Sequence, residues 1–141
     1  MVWSGVIFTM STDTFSAEHT KWLFEPILRW LIPRLAQSQY DLMHHFIRKG
    51  AHFTEYFVFC LLLYRAVRAG RAGWRWAWGT AALLIAAGYS ATDEFHQSFV
   101  ASRGASVYDS LLDSTGAFVA LLVLWLWFRR RAAAPVVPFS R

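Results

Sequence analysis

The sequence predicts an all-α protein: an integral membrane helical bundle of about four membrane helices plus an amphipathic interfacial helix. Three observations carry that expectation. Of 141 residues, 56% are hydrophobic and 18% aromatic, with a mean hydropathy of +0.31, more apolar than a soluble protein with an ordinary surface. The formal charge of +5 gathers in Arg65, Arg68, Arg71 and Arg75 and in Arg129-Arg130-Arg131, where basic residues flank apolar runs, the pattern that orients helices in a bilayer. Trp74, Trp76 and Trp78 stand together at the head of one apolar run, as an interfacial belt does.

Each element follows from its own pattern. Val2 to Met10 is apolar but about nine residues long, short of the roughly twenty that a bilayer needs, so it is either half a span or the remainder of one that starts upstream. It has neither a basic leading segment nor an Ala-x-Ala site and does not read as a signal peptide. Between Glu18 and Leu35, Trp22, Leu23, Phe24, Ile27, Leu28, Trp30 and Leu31 alternate with His19, Lys21, Glu25 and Arg29, which predicts an amphipathic helix lying in the interface. Pro26 marks its first turn or a break. Leu42 to about Val67 is a long helix of two characters, polar up to Glu55 and apolar from Phe57 to Tyr64. Trp74 to Ala91 is a plain span that ends in Thr92-Asp93-Glu94-Phe95-His96-Gln97. A last helix runs from about Val107 to Phe128, with Asp109 and Asp113 near its start. The membrane domain is expected over residues 1–131, its first helix truncated, and a short disordered cytoplasmic tail over residues 132–141, where Pro135 and Pro138 fall.

Orientation follows from the arginines. With the Arg65 to Arg75 loop and the Arg129 to Arg131 tail both cytoplasmic, a multi-pass membrane protein with a cytoplasmic C-terminus is expected. The turn around Ser102, Arg103 and Gly104 then lies outside. His52, Glu55, the Asp93 to Gln97 segment, Arg103, Asp109 and Asp113 all come toward one outer face. The arginines punctuate apolar segments and form no stripe interleaved with stacking aromatics, so nucleic acid is not expected as a partner. Cys60 is the single cysteine, which excludes an intramolecular disulfide and a cysteine-based metal site.

Ionisable side chains at this depth cost roughly 2.5 to 3.5 kcal/mol at mid-helix unless they face a cavity or a partner, and here three helices supply them. His45, Arg48, Lys49, His52, Glu55 and Tyr56 fall within roughly 120° of one helical face. Tyr89, Ser90, Asp93, Glu94, His96 and Gln97 share roughly 160° of the next helix, and Ser106, Asp109, Asp113, Gly116 and Ala120 form a stripe on the last. Gly116 and Ala120 would permit close approach of a neighbouring helix. Two chemistries suit the cluster. His52-x-x-Glu55 and Asp93-x-x-His96 each present an imidazole and a carboxylate at i, i+3, as helices present ligands to a divalent metal. Alternatively Asp93 or Glu94 takes a proton and His96 or His52 supplies one, while Lys49 and Arg103 clamp a phosphate, with Gln97, Asp109 and Asp113 completing the ligand contacts. His44 reads as a surface residue and His45 as a rim member. The competing structural use is an ion-pair network in which Lys49, Arg48 and Arg103 neutralise Glu55, Asp93 and the last-helix aspartates, although such a network adds little net stability once desolvation is counted.

The segments Arg48-Lys49-Gly50-Ala51-His52-Phe53-Thr54-Glu55-Tyr56, Asp93-Glu94-Phe95-His96-Gln97-Ser98-Phe99-Val100 with Arg103-Gly104, and Asp109 with Asp113-Ser114-Thr115-Gly116-Ala117 resemble, in order and spacing, the motifs of the VanZ-like membrane proteins. The similarity spans most of Leu42 to Leu126, and Phe8 to Ser11 resembles the end of that family's first helix. Asp113 stands where the family more often has Asn, which changes what Arg103 or Lys49 meets there. The resemblance implies a small multi-helix envelope protein, related to resistance to the glycopeptide teicoplanin. The expected function is an outward-facing polar pocket that binds, and either modifies or sequesters, an anionic membrane lipid or lipid-linked envelope precursor. The alternatives are a proton-coupled transporter or flippase, for which intramembrane carboxylates and imidazoles are equally suited, and a non-catalytic membrane assembly subunit. Access from both sides would favour the transporter, and tolerance of Asp93→Asn and His52→Gln the assembly subunit.

Overall fold

A computed structural model describes residues 2–10, 25–32, 34, 36–99 and 107–133, with the side chains of Phe8, Met10, Gln97 and Val107 left out. Its regular structure is helical: α1 (Val2–Met10), α2 (residues 25–31), α3 (Gln37–Arg68), α4 (Trp76–Gln97) and α5 (Val107–Ala133). The all-helical expectation holds, and α1 and the start of α5 fall where the apolar pattern places them. The predicted tail boundary is shifted. Arg129 to Ala133 remain helical, because arginine and alanine are good helix formers, and residues 134–141 lie outside the described part.

α3, α4 and α5 pack pairwise into a three-helix bundle, the broadest contact being α3 on α5, and α1 leans on α3. The core matches bulk to smallness. Tyr56, Phe59, Cys60 and Tyr64 on α3 meet Ala82 and Ala86 on α4 and Ala117 and Ala120 on α5, with Ile7 of α1 filling the side. Gly116 sets the closest approach: a Cβ built on it collides with the backbone carbonyl of Phe53. At the far end Tyr64 stacks on Trp74, 5.1 Å between centroids and 19° between planes. Two hydrogen bonds fix α1, from Trp3 Nε1 to the Glu55 carbonyl at 3.2 Å and from the Tyr89 hydroxyl to the Ser4 carbonyl at 2.8 Å.

The polar half of α3 and its apolar half form one continuous helix of 32 residues, about 48 Å long at 1.5 Å per residue. It begins at Gln37, earlier than the apolar run, because Gln39 Oε1 accepts the Ala36 N–H at 2.9 Å and satisfies one of the donors a helix start leaves open. It ends at Ala69 in the left-handed region, φ 49°, and Gly70 and Gly73 continue the turn at φ 77° and 81°. α2 folds back on the start of α3. Arg29 donates to Glu25 Oε1 and Gln37 Oε1 and lies over the Tyr40 ring. Leu28, Tyr40 and His44 are buried beneath it.

Among the described residues one helix, Tyr108–Ala133, is long and apolar enough to cross a membrane, and only 28% of its most apolar stretch is buried inside the molecule. That is not the burial of a soluble core helix. α3 misses the same standard because its first half carries charges, and α4 because Trp, Gly, Tyr and Ser dilute its aliphatic run. Leu62, Leu84, Ile85, Phe95, Leu111, Phe118 and Leu122 are nevertheless exposed on the outside of the bundle, an apolar surface larger than a monomeric soluble protein tolerates. The exposed threonines on these helices turn their hydroxyls onto their own backbone, Thr54 to Gly50, Thr80 to Trp76 and Thr115 to Leu111, which satisfies them without water.

Candidate functional site

The bundle brings polar side chains of α3, α4 and α5 together at one end. α4 continues as helix through Gln97, so Asp93 and Glu94 arrive on a rigid element, 5% and 9% exposed. Asp113 of α5 is deeper still, 1% exposed. Its Oδ2 accepts the Ser90 hydroxyl at 3.2 Å, while its Oδ1 is buried with no hydrogen-bond partner among the described residues. Ser90 also lies 3.1 Å from the Ser110 hydroxyl, tying α4 to α5. Tyr56 is fully buried on the α3 side, its hydroxyl beside Ser90 and within the field of Asp93 and Asp113. Asp113 in turn lies in the field of Glu94, Asp93 and Glu55.

Lys49 is the cation that reaches this group. It forms an ion pair with Asp109 Oδ1 and also feels Glu94 and Asp113. His52 and Glu55 lie one turn further along α3, half-buried, His52 Nδ1 to Glu55 Oε2 at 3.7 Å. His96 is half-buried on the last turn of α4. The site residues named from sequence therefore separate into three groups. Lys49 and Asp109 are paired across α3 and α5. Asp93, Glu94 and Asp113 form a carboxylate cluster inside the bundle, with His52 and Glu55 beside it on α3. Arg103 and the side chain of Gln97 lie outside the described residues.

Sequence reasoning put Tyr56 and Ser90 on the right faces but did not select them, although both sit at the centre. The available signal was position: Ser90 precedes Asp93 by one helical turn, and Tyr56 adjoins Glu55. Ser110 was missed, since nothing in its spacing points inward. One histidine reading is corrected. His44 is 7% exposed and not a surface residue, because α2 covers the face of α3 that carries it, while His45 is exposed. The partner of Lys49 is Asp109; Asp113, one turn deeper, is held by Ser90.

Among the described residues no group of three or more His, Cys, Asp or Glu side chains is placed to hold a metal ion. The two i, i+3 pairs each supply at most two ligands, and a third would have to come from a rearrangement. As it stands the arrangement is a close-packed carboxylate cluster with a lysine at its edge, suited to holding a proton or a cationic group and, once Lys49 leaves Asp109, to meeting an anion.

An apolar-skinned helical bundle with buried carboxylates at one end and arginines at the other defines the class of a small membrane protein. The VanZ/LLP1 family model matches residues 1–129. The chain belongs to that family. No curated protein and no solved structure matches it. Family membership together with the membrane-capable α5 points to a membrane protein.

Proposed function

We propose that this chain is a multi-pass protein of the bacterial cytoplasmic membrane whose carboxylate cluster forms the floor of a site for an anionic lipid-linked envelope precursor. α4, at 22 residues, and α5, at 27, are about 33 and 40 Å long, enough to cross a hydrocarbon core of about 30 Å. The second half of α3, about 24 Å long, covers most of that depth, and α1, of nine residues, is the fourth member. The arginine-bearing end lies in the cytoplasm by the positive-inside rule, which puts the carboxylate end at the outer leaflet and the C-terminus inside. A ligand with long apolar tails and a phosphate suits a polar site at the rim of an apolar bundle.

The observation that carries the reading is the Lys49–Asp109 pair at the edge of the cluster. A phosphate can replace the Asp109 carboxylate on Lys49, with Arg103 as the second cation, and the exchange brings it against Asp93, Glu94, His52 and His96, which do the proton work. Glycopeptide resistance of the teicoplanin kind would then be a consequence of altered handling of envelope precursors.

Native mass spectrometry of the full chain with added polyprenyl phosphate tests this. Lys49→Gln should lose retention about tenfold, the value of one charge-assisted contact of about 1.4 kcal/mol. Asp109→Asn, which releases the lysine, should increase it. Retention of the uncharged polyprenyl alcohol as strongly as the phosphate would end the proposal. If the site is catalytic, Glu94→Gln abolishes turnover of the bound precursor and leaves its retention intact, whereas equal loss of both counts against catalysis.

A further inference from the structure

At the other end of the bundle, α4 and α5 enclose a feature that the proposed precursor site does not use. A strictly apolar groove of about 130 Å³ runs between them, lined by Trp76, Phe118, Leu121, Leu122 and Trp125. A second cavity of about 340 Å³, bounded by Gly73, Trp74, Phe128, Arg129 and Ala132, has Trp125 as a common wall. The Arg129 guanidinium lies 5.2 Å from the centre of the Trp125 ring, so the two cavities adjoin at that ring and mark a surface path along it, greasy at one end and cationic at the other. Phe118 and Leu122 are exposed, which leaves the groove open along the side of the bundle. Trp76 and Trp125 are in ring contact at one end of it, their centroids 6.1 Å apart.

We infer that this path is a binding site for an anionic phospholipid of the leaflet at the arginine-bearing end, its acyl chain along Phe118, Leu122 and Trp125 and its phosphate on Arg129. Charge and shape both select that occupant. A peptide would leave backbone polar groups unsatisfied in a groove without polar lining. A zwitterionic lipid would set its own cation beside the arginine. An anionic lipid places its charge on the guanidinium and its hydrocarbon in the groove. The other arginines near this end lie over rings that do not line the groove, Arg71 and Arg75 over Trp78, Arg68 over Phe128 and Arg131 over Trp127, whereas the ring under Arg129 is Trp125, which does. The site shares no lining residue with the carboxylate cluster and does not depend on the precursor reading.

The experiment compares retention of phosphatidylglycerol and phosphatidylcholine by the full chain in native mass spectrometry, for wild type, Arg129→Gln, Arg131→Gln and Leu122→Trp. Wild type should prefer phosphatidylglycerol. Arg129→Gln should reduce its retention about fivefold or more, and Arg131→Gln by less than about twofold, because one juxtaposed charge supplies the selectivity. Leu122→Trp, which fills the groove from an exposed position, should weaken both lipids. Equal losses in Arg129→Gln and Arg131→Gln would mean a diffuse basic surface and would overturn the site, as would equal retention of both lipids by wild type. Arg129 is exposed, so its variant keeps the test decisive even if Leu122→Trp misfolds.

Discussion

Asp113 concentrates the chemistry of the cluster in one side chain. It is a carboxylate inside an apolar bundle, bonded to Ser90 on one oxygen, unmatched on the other, and surrounded by Asp93, Glu94 and Glu55. Holding a group of that kind against three like charges costs stability. Asp113→Asn retains the shape and an acceptor for Ser90 while removing the charge. It should raise unfolding stability in detergent by about 1 kcal/mol or more, read as a higher midpoint in a thermal melt, and under the proposed function it should also lower retention of the precursor. A variant less stable than wild type would show that the charge is satisfied by a group other than Ser90. The sequence singled out Asp113 as unusual. Its partner, Ser90, is a residue of no chemical distinction, and only the crossing of α4 over α5 makes it one.

At the scale of elements, the helices are held by backbone proximity as much as by side chains. Gly116 and Gly79 make a controlled comparison. A methyl group on Gly116 meets the Phe53 backbone, which cannot move aside, whereas one on Gly79 meets the tips of Leu121 and Trp74, at 2.8 and 3.0 Å, and side chains can yield. Gly116→Ala should therefore destabilise by about 1–3 kcal/mol, the usual cost of overpacking, and Gly79→Ala by much less. A denaturant titration in mixed micelles separates them, and equal effects would contradict the α3–α5 approach described above. The end of α3 supplies the opposite case. Ala69 occupies the left-handed region at φ 49°, a conformation that glycine adopts without the Cβ penalty. Ala69→Gly is expected to stabilise the protein by about 0.5–1 kcal/mol, measured the same way. Helix positions were legible from apolar periodicity, but the start of α3 was not, since Gln37 to Asp41 is polar and its helicity rests on the Gln39 cap and on the cover of α2.

The whole molecule is a bundle with two chemically distinct ends. One end gathers carboxylates, the other arginines and tryptophans, and the outer surface between them is apolar. Such a polarity suits a molecule whose middle lies in hydrocarbon and whose ends do not. The full chain should remain with membranes after carbonate extraction. Cys60, buried in the core, should resist maleimide reagents in intact cells, which leaves the protein ready for single-cysteine mapping. A cysteine placed at Ala72, in the arginine-rich loop, should label only once the cytoplasmic side is opened. Labelling of that position from outside would overturn the proposed orientation and put the carboxylate end at the cytoplasmic leaflet.

Composition and charge pattern alone determined the class of this protein: helical, membrane-directed, with arginines marking one end and a run of ionisable residues marking the other. Those properties are additive along the chain, since hydropathy, helix propensity and charge position act residue by residue. The tertiary structure decided which ionisable groups meet. It paired Lys49 with Asp109, buried Asp113 against Ser90, set His44 under α2 and left His45 outside, and opened a path between α4 and α5 that no segment announces. Those outcomes depend on the azimuth at which one helix faces another, and that angle is fixed by packing between residues far apart in sequence, above all the contact of Gly116 with the backbone of Phe53.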